Sequence, residues 1–310
     1  MASTSDRVQL LAMCKVPDVS WNFVAREAQR RGLEALLGGS TSEDSQDAQR
    51  TVIALGAAAS SEDERQASVA EIIESAEREG IHLTTVLDED YPANLRLIHN
   101  LPPFLFYQGR LEPSDAYSVA IVGTRGPSPE GLIRARRLAT GLNTAGVTIL
   151  SGLARGIDSA AHEACLDSGG RTIAVLGSGL RHVYPPENAG LAERIVERGA
   201  VVSQFWPDRP PTRDGFPRRN IVMSGLGQGT VVVEATSTSG AKMQARYALE
   251  HGKKLFLLSS LVKEREWARR YMQRGAVEVA GPNDVIRFLR ETAAVEARAE
   301  RRLQLSLTLD

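Results

Sequence analysis

Cysteine is nearly absent from this sequence, with two residues, Cys14 and Cys165, in 310. Two cysteines cannot make a disulfide framework. Both fall in helical patterns, as expected of buried free thiols in a cytosolic protein. Metal-binding spacing is missing as well. Five histidines occur without a Cys-x-x-Cys or His-Glu-x-x-His pattern, so neither a metal nor a cofactor is expected. No run of about 18 apolar residues is present to span a membrane. The first residues, Met1 to Asp6, are polar and lack an apolar signal core, which points to a cytoplasmic location. The glycine-rich turns lack the Gly-x-Gly-x-x-Gly of dinucleotide sites and any following Gly-Lys-Ser/Thr, which disfavours a P-loop ATPase.

Net charge is only −1, but it is unevenly spread. Residues 1–110 hold 17 acidic and 10 basic side chains, whereas residues 111–310 hold 21 acidic and 27 basic. A basic surplus on the longer part suits a polyanionic ligand, or simply solvated helix faces. Charge alone does not choose between them.

Residues 5–38 read as a helical hairpin, with Leu10, Leu11 and Met13 as an apolar patch and Ser20 placed to cap a helix carrying Trp21, Val24 and Ala28. Gly39 to Asp47 is rich in Ser, Thr, Asp and Glu and reads as a mobile linker before a helix at 62–80. An extended piece at Ile81–Val86 and a second at Leu101–Gly109 follow. The proline pair in the second favours an edge strand.

From Ser118 the pattern becomes regular. Short apolar β-branched runs stop at a small polar residue and glycine, and a helical pattern then begins. Strands are expected near 119–122, 147–150, 172–176, 200–203, 230–234, 254–258 and 276–279, alternating with helices near 130–145, 158–168, 188–199, 239–251, 263–274 and 283–295. That alternation predicts an α/β fold, Rossmann-like and doubly wound, with a mostly parallel sheet. The expected division is a small helical (SAM-like) domain with linker at 1–80, the Rossmann-like domain at 81–292 and a helical tail at 293–310.

Four turns carry the candidate chemistry. Gly123-Thr124-Arg125 offers a backbone open to phosphate, a hydroxyl and a guanidinium, although a plain strand exit would look the same. Ser151-Gly152-Leu153-Ala154-Arg155-Gly156-Ile157-Asp158 enters a helix, where Asp158 reads as a cap and His162 as a group satisfying buried backbone. Phe216-Pro217-Arg218-Arg219-Asn220 combines an aromatic ring, two cations and a carboxamide within five residues. It suits stacking and gripping of nucleic acid, or else a rigid proline turn. Ser239-Gly240-Ala241-Lys242 opens another helix beyond Glu234, the one carboxylate near the expected crevice. Glu234 has no partner for acid/base work, so the pattern favours a binder over an enzyme.

These motifs resemble the DNA-processing protein A (DprA/Smf) family. The likeness runs through Val119-Ala120-Ile121-Val122-Gly123-Thr124-Arg125, Leu150 to His162, Thr172 to Gly179, Tyr184-Pro185-Pro186-Glu187-Asn188, Phe216 to Asn220, Val232 to Ala235 and Ser239-Gly240, over roughly residues 80–285. It implies a Rossmann-like domain that binds single-stranded DNA, dimerises and helps load the RecA recombinase in natural transformation. It also implies a form lacking the C-terminal winged-helix domain that many members carry. The implied DNA-binding residues are Gly123, Thr124, Arg125, Ser151, Gly152, Arg155, Phe216, Arg218, Arg219, Asn220, Ser239, Gly240 and Lys242, with no catalytic residue and no membrane partner. The chain departs from the family pattern at Ile221, at Ala241-Lys242-Met243-Gln244-Ala245 and at Leu258-Ser259-Ser260.

Two other readings compete. Gly225-Leu226-Gly227-Gln228-Gly229-Thr230 with Glu234 loosely echoes the motif of nucleotide phosphoribohydrolases on related folds, which would make the chain a nucleotide-binding enzyme or sensor. The altered segments would also allow a pure interaction protein.

Overall fold

The computed structural model describes residues 2–291. The tail expected to be helical at 293–310 lies outside the described residues. Nine strands are present among them: β1 His82–Thr85, β2 Phe104–Gly109, β3 Ser118–Val122, β4 Thr148–Ser151, β5 Thr172–Val175, β6 Ala200–Ser203, β7 Gly229–Val232, β8 Lys254–Leu258 and β9 Val277–Val279. They form one sheet in the order β1-β2-β6-β5-β4-β3-β7-β8-β9. The seven strands from β3 onward pair in parallel, and β1 and β2 run antiparallel at one side. From β3 the chain steps outward to β6, then returns and starts again on the far side of β3. The order therefore reverses between β3 and β7, and this reversal opens a crevice at their carboxyl ends.

Alternation along each strand divides the core between the two faces of the sheet. Val119 and Ile121 of β3 pack on one face with Ile149, Val231 and the helices α6 (Pro129–Thr144) and α7 (Ile157–Asp167). Ala120 and Val122 pack on the other, with α8 (Ala189–Arg198), α9 (Gly215–Leu226) and α10 (Gly240–Glu250). The short α11 (Ser259–Glu264) and α12 (Glu266–Met272) precede β9, and residues 282–291 are helical. The second face also receives the amino-terminal helices α1 (Thr4–Cys14), α2 (Trp21–Arg31), α3 (Leu33–Leu37), α4 (Gln46–Ala57) and α5 (Glu62–Arg78). Leu10, Phe23 and Val24 join Phe104 and Phe106 in one buried cluster, and the Trp21 ring lies 5.1 Å from that of Phe104.

Several expectations need correcting. The piece at 101–109 is not an edge strand, because β1 pairs with β2 on its outer side. Pro102 and Pro103 precede β2 and leave its amide groups free to pair. The stretch read as a mobile linker is pinned: Ser42 N donates to Glu27 Oε2 at 2.8 Å, and Arg26 pairs with Glu43 at 2.8 Å. Helix α4 begins at Gln46, within that stretch, and was not anticipated. The single helix expected at 263–274 breaks at Arg265, which is extended. The motif read as a turn at Phe216 forms the first turn of α9, where Pro217 sacrifices no intrahelical bond. No helix among the described residues is long and apolar enough to cross a membrane.

Two histidines are held as neutral rings, His162 buried and His251 half-buried. His162 Nδ1 lies 2.7 Å from Thr172 Oγ1, and burial pushes its pKa down to about 3. His251 bridges Ser224 Oγ and Asn100 Oδ1 at 2.9 Å each, and burial lowers it to about 4. Because their folded pKa values lie below that of an unfolded histidine, their contribution is complete above about pH 6.5 and is lost as pH falls toward 4. The folding equilibrium constant should fall about tenfold per pH unit for each histidine in that window. Buried Asp158, whose carboxyl burial raises, works in the opposite sense. Urea unfolding of the wild type and His162→Gln from pH 7 to 5 isolates one histidine: the variant should lose about tenfold less per pH unit.

Candidate nucleic-acid interface

The parallel register sets Val122 beside Val232, so the loops leaving β3 and β7 start together and diverge toward α6 and α10. They are tied at their roots, where Thr124 N donates to Glu234 O at 2.8 Å. Glu234 also accepts from Ser128 Oγ at 2.8 Å and Ser128 N at 3.2 Å, while Ser128 Oγ accepts from Gly131 N to cap α6. This carboxylate is thus engaged in holding one loop to the other. Ser239 caps α10 by accepting from Lys242 N at 3.3 Å. Between the loops lies a cavity of about 390 Å³, closed below by α9 and opening past Arg125.

A buried pair of charges forms the floor. Arg219 is 6 % exposed and donates from Nη1 to Val175 O at 3.0 Å; burial lowers its pKa, while the negative charge of Asp158 opposes that. Asp158 is 5 % exposed, and its Oδ2 accepts from Gly152 N at 3.2 Å. Burial raises its carboxyl against the pull of Arg219. Asp158 is therefore not the cap of α7, a place taken by Gly156 at φ 82°. It lies inside the first turn and reaches back to the strand exit. Gly152 leaves the space that the Arg219 guanidinium fills, since an added Cβ there would overlap it. Gly123 likewise lets Ile157 of α7 close against the backbone.

The mouth is aromatic and cationic. The exposed Arg125 guanidinium lies 5.4 Å from the centre of the Phe216 ring, and Phe216 is 5.8 Å from the ring of Tyr184. Among the described residues Arg125 has no ion-pair partner, and such a cation beside open aromatic rings can hold a phosphate while a base stacks. Carboxamides complete the wall: Asn220 Nδ2 donates to Gly240 O at 3.3 Å and Gln244 Nε2 to Thr230 Oγ1 at 3.3 Å.

Eight of the thirteen candidate residues line this cavity: Gly123, Thr124, Arg125, Phe216, Arg219, Asn220, Ser239 and Gly240. Gly152 and Arg155 line a small adjoining recess with Tyr184 and Pro185, and Arg155 is engaged by Glu187. The other three line neither. Ser151 Oγ donates to Ile121 O at 2.6 Å inside the sheet, and Lys242 Nζ folds back to Ser237 O at 3.1 Å. Arg218 leaves α9 turned away from the cavity and lies over the rings of Trp21 and Phe205. Sequence reading missed Gln244, Met223 and Tyr184. Gln244 follows Gly240 by four residues, so helical spacing would have set both on one face of α10. The Gly225–Thr230 echo leads into the start of β7, at the far end of the sheet from the cavity.

Comparison with known proteins agrees with this architecture. The profile of the family described as DNA recombination-mediator protein A matches residues 82–290. Protein Smf of Escherichia coli is 41 % identical over 211 residues, covering 67 % of this chain and 56 % of that protein. Protein Smf of Synechocystis is 38 % identical over 225 residues, and 56 % of its length is spanned. The chain thus spans little more than half of these relatives. Among solved structures, DNA processing protein A from Streptococcus pneumoniae superposes with a TM-score of 0.74 at 30 % identity, over 92 % of this chain and 98 % of that one. The protein of the same name from Helicobacter pylori, described for its unique single-stranded DNA binding mode, gives 0.60 at 27 % identity over 68 % and 96 %. With its doubly wound sheet, switch-point cavity and profile match over residues 82–290, the chain belongs to the DNA recombination-mediator protein A family.

Proposed function

We propose that this chain binds single-stranded DNA, without cutting it, in the cavity between the β3 and β7 loops. The observation that carries the reading is Arg125, without an ion-pair partner among the described residues, beside Phe216 and Tyr184 at the mouth, above the buried Arg219. Arg125, Thr124 and the first-turn amides of α10 would hold backbone phosphates, and Phe216 would stack a base. The single-stranded DNA binding of the Helicobacter pylori relative supports this. We further propose the role that the resemblance implies: a cytoplasmic homodimer that protects single strands during DNA uptake and recombination and passes them to a RecA-type recombinase. In that reading residues 1–80 form the helical domain and 81–292 the DNA-binding one.

Titrating labelled single-stranded and duplex oligonucleotides across a salt series tests it. Single strands should bind more tightly, with affinity falling linearly in logarithmic salt and a slope that counts the contacted phosphates. An absence of binding at low salt would overturn the proposal.

A further inference from the structure

Helix α9 presents a second charged face. At 100° per residue, Phe216, Arg219 and Asn220 point one way and Arg218 and Ile221 the other. On that other side lies an open cavity of about 430 Å³ whose lining includes Trp21, Asn22, Asn100, Gln204 and Arg218. Three sets of hydrogen-bond donors belong to residues at or beside its wall.

The Arg218 guanidinium is 5.3 Å from the Trp21 ring centre and 5.1 Å from that of Phe205. Arg209 lies 4.3 Å from the same Phe205 ring, so two cations share one aromatic side chain. Arg209 is neutralised by Asp214 at 2.6 Å, whereas among the described residues Arg218 has neither an ion pair nor a hydrogen bond. Ring faces attract the cation but leave its N–H edge unsatisfied. Burial and the charge of Arg209 both lower the Arg218 pKa, and the negative charge of Asp214 opposes them only in part. Gln204 is 7 % exposed, and its Nε2 has no hydrogen-bond partner. The third set is the first turn of α2. Its N-cap residue Ser20 leaves the helix uncapped and donates instead to Asp47 Oδ2 at 3.0 Å. The open amides of Trp21, Asn22 and Phe23 carry the positive end of an 11-residue helix.

We propose that this cavity is a second anion site, taking a phosphate-type oxyanion between Arg218, Gln204 and the first turn of α2. The oxyanion could belong to free phosphate or to a DNA strand running past α9 from the first cavity. The second source rests on the function proposed above; the first does not.

Two measurements on the full chain separate the sources. Isothermal titration with inorganic phosphate at constant ionic strength is made in an Arg125→Ala background, which weakens the first cavity. One phosphate should bind, and adding Arg218→Gln should weaken it at least tenfold; unchanged affinity would overturn the site. Gln204→Leu in the same background keeps the Arg218 stacking and should weaken binding about fivefold, so it decides the matter if Arg218→Gln fails to fold. Oligothymidylates of increasing length are then titrated with Arg218→Gln in the wild-type background. A strand spanning both sites predicts unchanged binding of the shortest oligomers, and loss of about 0.7 of salt slope on long ones. Phosphate loss without a DNA effect assigns the site to free phosphate. Phosphate loss together with no DNA binding by any form keeps this site and removes the first reading.

Discussion

Arg125→Ala is expected to weaken binding of a single-stranded oligonucleotide by about 10- to 100-fold, the worth of one charge-assisted hydrogen bond to a phosphate. The salt slope should fall by about 0.7, one single-strand phosphate contact. The midpoint of thermal unfolding should stay within about a degree, because the side chain is exposed and its described contact is with the Phe216 ring. The contrast with Arg155 makes the test specific. Arg155 is as exposed but already engaged by Glu187, so Arg155→Ala should cost only a few-fold. Fluorescence anisotropy of the two variants across a salt series reads both quantities. Equal affinities for Arg125→Ala and the wild type would remove the cationic mouth from the proposal.

Gly152→Ala should destabilise the fold by about 3–5 kcal/mol, the range found when a buried ion loses its partners. The added methyl would occupy the space of the Arg219 guanidinium. Arg219 would then lose its bond to Val175 O, and its displacement would leave Asp158 buried without the facing cation. The backbone at Gly152 is not left-handed, so the cost is steric and electrostatic rather than torsional. Urea and thermal unfolding should show a midpoint lower by several degrees, with DNA binding lost in parallel. Adding Arg219→Met removes the clash but still leaves Asp158 without its cation, so only part of the stability should return while binding stays lost. Full stability in the single variant would show that the guanidinium is not packed against this glycine.

The regular part of the fold was legible because its signals are local. A strand such as Val119–Val122 is a β-branched run with a glycine exit, and the helix after it begins at a serine cap; neither needs knowledge of distant residues. Helix α9 was not legible, since Gly215, Pro217 and Gly225 weaken its propensity and packing against Leu95 and Ile98 compensates. The edge position assigned to 101–109 failed for a similar reason. Prolines report what the chain does at their own position, but which strand lies alongside is a long-range matter. Most of the family-motif residues lie together at the carboxyl ends of β3 and β7, yet the motifs did not state which neighbouring arginine faces the cavity. Adjacent helical residues diverge by 100°, and the tripeptide Arg218-Arg219-Asn220 does not state the phase of its helix.

By itself, then, the sequence determined the alternating α/β order, the glycine exits and the presence of cations beside an aromatic residue, because periodicity and turn chemistry act over a few residues. Only the tertiary structure decided that Arg219 is buried facing Asp158, that Glu234 holds Ser128 and that Arg218 turns toward Trp21. Each of those outcomes depends on which surfaces the sheet brings together across roughly sixty to two hundred residues of chain, and a charged side chain takes its role from the neighbours and solvent it meets there.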